Sequence, residues 1–178
     1  VGSEMCIRDS QSTNPATLAA VNRRMDIERA EANILRLAAM DTIHLHVDLI
    51  LGLPGDSEDS FRSSFNRVFA LRPHHVQMGL LKVLPGTPIR RDAGRHGLVF
   101  CRQPPYEVLA NRWLDHAVLA DLHVFGECVE AFHNNRYFRT LWRYLLGTAA
   151  SSASRRVISS WVGECSKKRR RRQMTSRA

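Results

Sequence analysis

No run of apolar residues in this 178-residue sequence is long enough to cross a bilayer, and no segment joins a charged start to an apolar centre as a signal peptide does. Both absences point to a cytoplasmic chain without a membrane partner. Cysteine is sparse. Cys6, Cys101, Cys128 and Cys165 lie far apart and follow no metal-ligand spacing, so reduced thiols in a cytosolic protein are the simplest reading. No Ser/His/Asp or Cys/His arrangement of recognisable spacing occurs, and no nucleophile or general base stands out. The glycine-rich turn Gly52-Leu53-Pro54-Gly55 lacks the lysine and hydroxyl residue of a phosphate loop. Asp56, Glu58 and Asp59 follow it instead, and these charges repel a phosphate, which excludes nucleotide-phosphate binding at this turn. Little net charge resides outside the C-terminal tail. Of a whole-chain net charge of +9, residues 155–178 hold nine Lys or Arg against one acid, Glu164.

What is present centres on residues 43–69. Ile43, Leu45, Val47, Leu49 and Leu51 share one parity, and His44, His46, Asp48 and Ile50 share the other. This alternation predicts a strand with one wholly apolar face, as in a barrel or covered sheet. The strand breaks at Gly52 to Gly55, and a helix follows at once, capped by Asp56 or Ser57 and carrying Phe61, Phe65, Val68 and Phe69 at helical spacing. Strand, tight turn and amphipathic helix make half of a right-handed βαβ repeat. Asp48 lies near the C-terminal end of the strand, where ligands sit in parallel α/β folds. It serves either a ligand or a purely structural role among polar neighbours. His44 and His46, two residues apart on the same face, have the spacing of a metal chelate but also suit polar lumen positions.

Before this unit, residues 1–10 show neither helical nor strand periodicity, resemble translated linker sequence and are set outside the fold. The abrupt start near Gln11, without an initiating methionine, gives the expectation of a fragment cut off upstream. Asn14-Pro15 begins a helix with Leu18 and Val21 inward, closed by Arg23-Arg24. Asp26 caps a second helix with Ile27, Ala30, Ile34, Leu37 and Ala38 as its buried stripe. Beyond the central unit, Pro73 ends the helix and residues 75–84 form another strand, so helix-separated strands imply parallel pairing. A long loop is expected from Thr87 to Pro105, and all-helical structure from Tyr106 onward. Its stripes are Val108, Leu109, Trp113, Leu114 and Ala117; then Leu122, Phe125, Val129 and Phe132; then Tyr137 to Leu146. Residues 147–154 read as a small-residue linker.

Three motifs in order, QSTNPATLAAVNRR, HVDLILGLPGDSEDSF and GLLKVLPGTPI, resemble the second half of a cobalamin-binding radical SAM protein. The stretch PPYEVLANRWLDHAVLADLHVFGECVEAFHNNRYF is similar to the helical domain of unknown function that ends such proteins. The resemblance implies an α/β fold: the last βα units of a partial (βα)6 TIM-type barrel, followed by an all-helical C-terminal region. The implied division is 1–10 non-native linker, 11–90 C-terminal barrel, 104–147 helical accessory domain, and 148–178 linker with a basic disordered tail. By the same resemblance Gln11, Arg23 and Asp48 contact S-adenosylmethionine, while Ile50 and the turn Gly52, Leu53 and Pro54 lie against its adenine. A carboxylate suits ribose hydroxyls, a guanidinium suits the methionyl carboxylate, and an apolar side chain covers a base. The Cys-x-x-x-Cys-x-x-Cys motif that holds the 4Fe-4S cluster is absent from the sequence, as is a cobalamin domain. The implied parent performs radical chemistry on an unknown substrate, with the N-terminal half-barrel as this chain's partner, and the chain alone is inactive.

The competing reading is a small α/β binding protein that contacts nucleic acid through its basic tail. Aromatic residues interleaved with the charges would support it, but none follows Trp161, and a nucleic-acid partner at the tail is not expected. The cysteine spacing generates one prediction. Reconstitution of the chain with iron and sulfide should yield no stable 4Fe-4S cluster by absorbance. A stoichiometric cluster band that vanishes when the four cysteines are replaced would overturn it.

Overall fold

The computed structural model describes residues 3–7, 11–40 and 43–135, and the chain divides into two compact units, Val1–His123 and Val124–Ala178. In the first unit three strands, β1 (Ser3–Ile7), β2 (Ile43–Leu51) and β3 (His75–Leu80), form a parallel sheet in the order β1-β2-β3. Helices α1 (Pro15–Ala20) and α2 (Ile27–Met40) connect the first two strands, and α3 (Glu58–Ala70) connects the second pair. Parallel neighbours require such crossovers, because a hairpin can join only antiparallel strands.

β2 sits in the middle with both edges paired, and α2 and α3 pack against it. Leu45, Val47, Leu49 and Leu51 are buried, His44 is exposed, and His46, Asp48 and Ile50 are half-buried, so the expected parity holds. Each buried aliphatic side chain on that face contributes about 1.5–3 kcal/mol. Gly52 and Gly55 then take φ of +86° and +81°, backbone that other residues adopt only at a cost. Ser57 caps α3 reciprocally: its Oγ accepts from Ser60 N at 3.2 Å, and Ser60 Oγ accepts from Ser57 N at 2.8 Å. Phe61, Phe65 and Val68 bury the inner face of α3.

The first two helices start as their caps predict. Asn14 Oδ1 accepts from Ala16 N at 3.0 Å with Pro15 following, and Asp26 Oδ1 accepts from Arg29 N at 3.0 Å. Their other features differ from expectation. α1 ends at Ala20, and Asn22 at φ +56° turns the chain, so Arg23 and Arg24 lie beyond the helix instead of closing it. On α2 only Ile34 is fully buried; Ile27, Ala30, Leu37 and Ala38 are half-buried.

Four further expectations are corrected. Ser3–Ile7, placed outside the fold for want of periodicity, pairs along β2 in the register Ser3↔Ile43 to Ile7↔Val47. Strand pairing is made by backbone groups, so an edge accepts a segment without side-chain alternation. β3 stops at Leu80, not Leu84, because the chain changes partner there. Leu81 N still donates to Leu51 O at 2.9 Å, but Leu81 O accepts from Val108 N at 2.9 Å and Val83 N donates to Tyr106 O at 2.8 Å. The expected loop contains α4 (Pro88–Arg91), α5 (Ala93–His96) and β4 (Val99–Phe100). The region after Tyr106 is not all-helical: β5 (Val108–Ala110) pairs antiparallel with β4, and helix α6 (His116–Val129) begins only after a turn at Asn111. Asn111 Oδ1 accepts from Trp113 N and Leu114 N, each at 2.9 Å, and Asp115 Oδ1 caps α6 through Val118 N at 2.8 Å. Hence Val108 and Leu114 are buried while Leu109 and Trp113 are exposed.

Of the second unit, the described residues are the end of α6 and a π-helical turn at Glu130–Asn134, with Phe125, Cys128 and Val129 buried. The stripe from Tyr137 to Leu146 and the basic tail lie outside the described residues.

The turn after β2 generates a prediction. A Cβ at Gly52 would stand 2.6 Å from Val108 Cγ1, and the backbone there is left-handed. Gly52→Ala should therefore destabilise the chain by about 2–5 kcal/mol, combining backbone strain with overpacking. In a Val108→Ala background the added cost should be smaller, because the clashing methyl is gone. Chemical denaturation of the four proteins in this cycle measures both quantities.

Candidate functional site

At the C-terminal end of β2 and β3 an open cavity of about 420 Å³ is lined by Gln11, Arg23, Asp48, Leu49, Ile50, Gln77, Gly79 and Leu80. That volume falls within the range of small-molecule sites, and the end of parallel strands is where α/β sheets hold ligands. Asp48 and Ile50 arrive by strand parity, and their partners across the β2–β3 pair are Gln77 and Gly79. Gly79 matters by omission: a Cβ built there meets nothing within 4 Å, so the floor of the cavity is open on that side.

Gln11 is held by its backbone and by a buried polar tether. Its carbonyl accepts from Ile50 N at 2.9 Å, which extends the β1 side of the sheet past Ile7. Two residues on, Thr13 N and Thr13 Oγ1 donate to Ser64 Oγ at 3.2 and 3.0 Å, anchoring the segment to α3. Ser12 and Ser64 are both buried, and Ser12 Oγ accepts from Asn14 N at 3.1 Å. Arg23 follows the left-handed Asn22, and its amide donates to Leu18 O at 2.8 Å. The cavity thus gathers one carboxylate, one guanidinium, two carboxamides and the apolar residues Leu49, Ile50 and Leu80. Such a set pairs with both charged ends of a zwitterion, hydrogen-bonds hydroxyls and covers a flat ring.

Four of the residues singled out in the sequence, Gln11, Arg23, Asp48 and Ile50, come together here. Gly52, Leu53 and Pro54 do not line this cavity. They are buried, with Gly52 against Val108 and Leu119, and the Gly52 carbonyl accepts from Asn111 Nδ2 at 2.9 Å. His44 and His46 associate with different partners: the His44 ring lies 4.9 Å from His74, and the His46 ring stacks at 4.7 Å on His75. Among the described residues no three His, Cys, Asp or Glu side chains form a group able to hold a metal.

Sequence reading passed over Gln77 and Gly79. The signal was available, because alternation in HVQMGL gives them one parity, but only the β2–β3 register sets them opposite Asp48 and Ile50. It also treated Asp56 as an open helix-start charge, whereas the side chain is wholly buried. Ser60 Oγ donates to Asp56 Oδ1, and Oδ2 has no hydrogen-bond partner. Burial raises the Asp56 pKa above its ordinary value, and the Ser60 hydrogen bond opposes that shift in part.

A family described as "Protein of unknown function (DUF4080)" matches residues 94–155. The heme chaperone HemW of Mycobacterium tuberculosis is 33% identical over 103 residues, which is 58% of this chain and 26% of that protein. The tRNA-2-methylthio-N(6)-dimethylallyladenosine synthase of Psychrobacter cryohalolentis is 34% identical over 79 residues, 44% of this chain and 16% of that one. The chain therefore spans about a quarter of the length of the heme chaperones it matches. Among solved structures, coproporphyrinogen III oxidase (HemN) from Escherichia coli, a radical SAM enzyme, aligns with 27% identity and a TM-score of 0.41 over 46% of this chain and 18% of that one. The radical S-adenosylmethionine methyltransferase TsrM from Kitasatospora setae aligns with 20% identity and a TM-score of 0.47 over 58% and 22%.

The raised pKa of Asp56 sets a pH dependence. The fold favours the protonated carboxyl, whereas the unfolded chain ionises it near pH ~3.9. The stability this group contributes is fully present below that value and is lost as pH rises through the folded pKa. Asp56→Asn stays neutral and should gain thermal stability relative to the wild type between about pH 4 and pH 7. Melts across that range check it, and a constant difference between the two proteins would show that the carboxyl does not titrate in this way.

Proposed function

We propose that this chain carries part of an S-adenosylmethionine site within a radical SAM protein, its parallel strands being late members of a partial (βα)6 barrel. The observation that supports the reading is the common cavity of Gln11, Arg23, Asp48 and Ile50, residues up to 39 positions apart in sequence and assembled at one end of the sheet. In this reading Asp48 accepts from the ribose hydroxyls, Arg23 pairs with the methionyl carboxylate, Gln11 hydrogen-bonds the polar end and Ile50 covers the base. The turn from Gly52 to Pro54 acts by fixing the end of β2. When bound next to a reduced iron–sulfur cluster, S-adenosylmethionine supplies a radical on cleavage.

The residues described here do not fit the cluster itself. They offer no three-ligand group, and the three-cysteine motif is absent from the sequence. The cluster and cobalamin are therefore assigned to other parts of a longer protein, and this chain's residues bind and orient the cofactor without acting as acid, base or nucleophile. The substrate of the whole protein is a further part of the proposal that these residues do not specify.

Three substitutions test the site. Asp48→Ala removes a charged acceptor worth about 1.5–3 kcal/mol and should weaken S-adenosylmethionine binding roughly ten- to hundredfold without lowering the melting temperature. Leu45→Ala, on the buried parity and outside the cavity lining, should instead cost about 2–5 kcal/mol of stability. Gly79→Val should fold normally and block binding, because its side chain projects into open space at the cavity. Calorimetric titration of the cofactor into the chain, alone or fused to an N-terminal half-barrel, together with thermal melts, separates these outcomes. Normal binding by an early-melting Asp48→Ala protein would return the carboxylate to a structural role.

A further inference from the structure

No residue between Lys82 and Trp113 lines the ligand cavity, and this segment is the basic part of the described chain. From Lys82 to Arg112 it holds six Lys or Arg against two acids, Asp92 and Glu107. Arg90 is used internally: its guanidinium lies over the rings of Phe100 and Tyr106, at 5.2 and 5.7 Å, and its Nη1 donates to Val83 O. The other five, Lys82, Arg91, Arg95, Arg102 and Arg112, are exposed, and none joins an ion pair among the described residues.

Within this segment the fold joins two basic–aromatic dipeptides that are distant in sequence. Arg112 N donates to His96 O at 3.2 Å where α5 ends. Gly97 takes φ +61° at this turn, a left-handed backbone that favours glycine. The rings of His96 and Trp113 consequently come to 6.1 Å, tilted by 41°, with Arg95 and Arg112 adjacent to them in the chain. Trp113 is 39% exposed, an unusual state for a side chain that gains so much by burial. A solvent-exposed flat ring on a segment that also carries the exposed Arg95 and Arg112 has the chemistry to take a nucleobase and nearby backbone phosphates. An acidic peptide would use the charges but leave the rings without a partner.

We infer that the patch formed by Arg95, His96, Arg112 and Trp113 binds single-stranded RNA, with a base stacked on Trp113 and the backbone phosphates on the two arginines. Unpaired bases are the ordinary condition of RNA loops and ends, whereas duplex DNA buries its base faces. The inference is independent of the cofactor cavity and rests on different residues from the basic tail, which has no aromatic residue after Trp161.

Fluorescence anisotropy with a labelled oligouridylate and the full chain tests the patch. Trp113→Ala should weaken binding roughly tenfold with the salt dependence unchanged, because stacking is lost and the charges remain. Arg95→Ala combined with Arg112→Ala should weaken binding and reduce the slope of log affinity against log salt by about 1 for each arginine. Trp113→Leu keeps an apolar side chain and removes the flat ring, so it should bind like the alanine variant, and circular dichroism verifies that each variant folds. Replacement of the basic run at residues 167–172 by alanine should leave the Trp113-dependent component in place. The inference is overturned if the patch variants bind as the wild type does while the tail variant loses all binding. It is equally overturned if duplex DNA or polyglutamate shows the same dependence on Trp113, since either result would leave charge alone as the attraction.

Discussion

A shift of one residue in the pairing of β2 would carry Leu45, Val47, Leu49 and Leu51 to the cavity face and turn Asp48 and Ile50 into the core. That exchange would expose four aliphatic side chains and bury a carboxylate, at a cost of several kcal/mol for the charge alone. The register is pinned on both edges, by β1 and by β3, so Asp48 and Ile50 stay on the half-buried parity while Leu45, Val47, Leu49 and Leu51 stay buried. The rest of the first unit follows from this separation. α2 and α3 cover the apolar parity, and what the polar parity can reach depends on what the neighbouring strands set opposite it.

The parts of the fold that were legible in the sequence are those specified locally. Alternation over residues 43–51, paired glycines at the turn, and caps at Asn14, Asp26 and Ser57 each depend on a few adjacent residues, and each appears in the structure. The parts that were misread depend on distant partners. β4 and β5 are two and three residues long, too short for periodicity to register; β5 takes backbone groups from the chain around Leu81, and β4 pairs on β5. Val108, Leu109, Trp113 and Leu114 suit a helical stripe as spacing, yet the turn at Asn111 divides them between a strand and the approach to α6.

The candidate site divides along the same line. Asp48 and Ile50 could be paired from strand parity alone, since neighbours two apart on a strand share a face. Gln11 and Arg23 entered through the resemblance to a family, and no local pattern ties either to the strand that follows. Their place beside Ile50 depends on the backbone bond from Ile50 N to Gln11 O and on Ser64 holding Thr13, contacts between segments far apart in the chain. Asp56 shows the opposite failure. A carboxylate near a helix start is ordinarily solvated, and nothing in the surrounding residues announced that this one would be enclosed.

The change of partner at Leu81 ties three segments into a closed ring. Leu51 O receives Leu81 N, Leu81 O receives Val108 N, and Val108 packs on Gly52, whose carbonyl receives Asn111 Nδ2. Each segment is held by the other two, and none can peel away without releasing backbone groups from two partners at once. The end of β2, the continuation of β3 and the β5 turn should therefore open as one cooperative unit, a single foldon whose amides share one protection free energy in hydrogen exchange. The short hairpin, which on its own would be too small to persist in water, takes its stability from that ring.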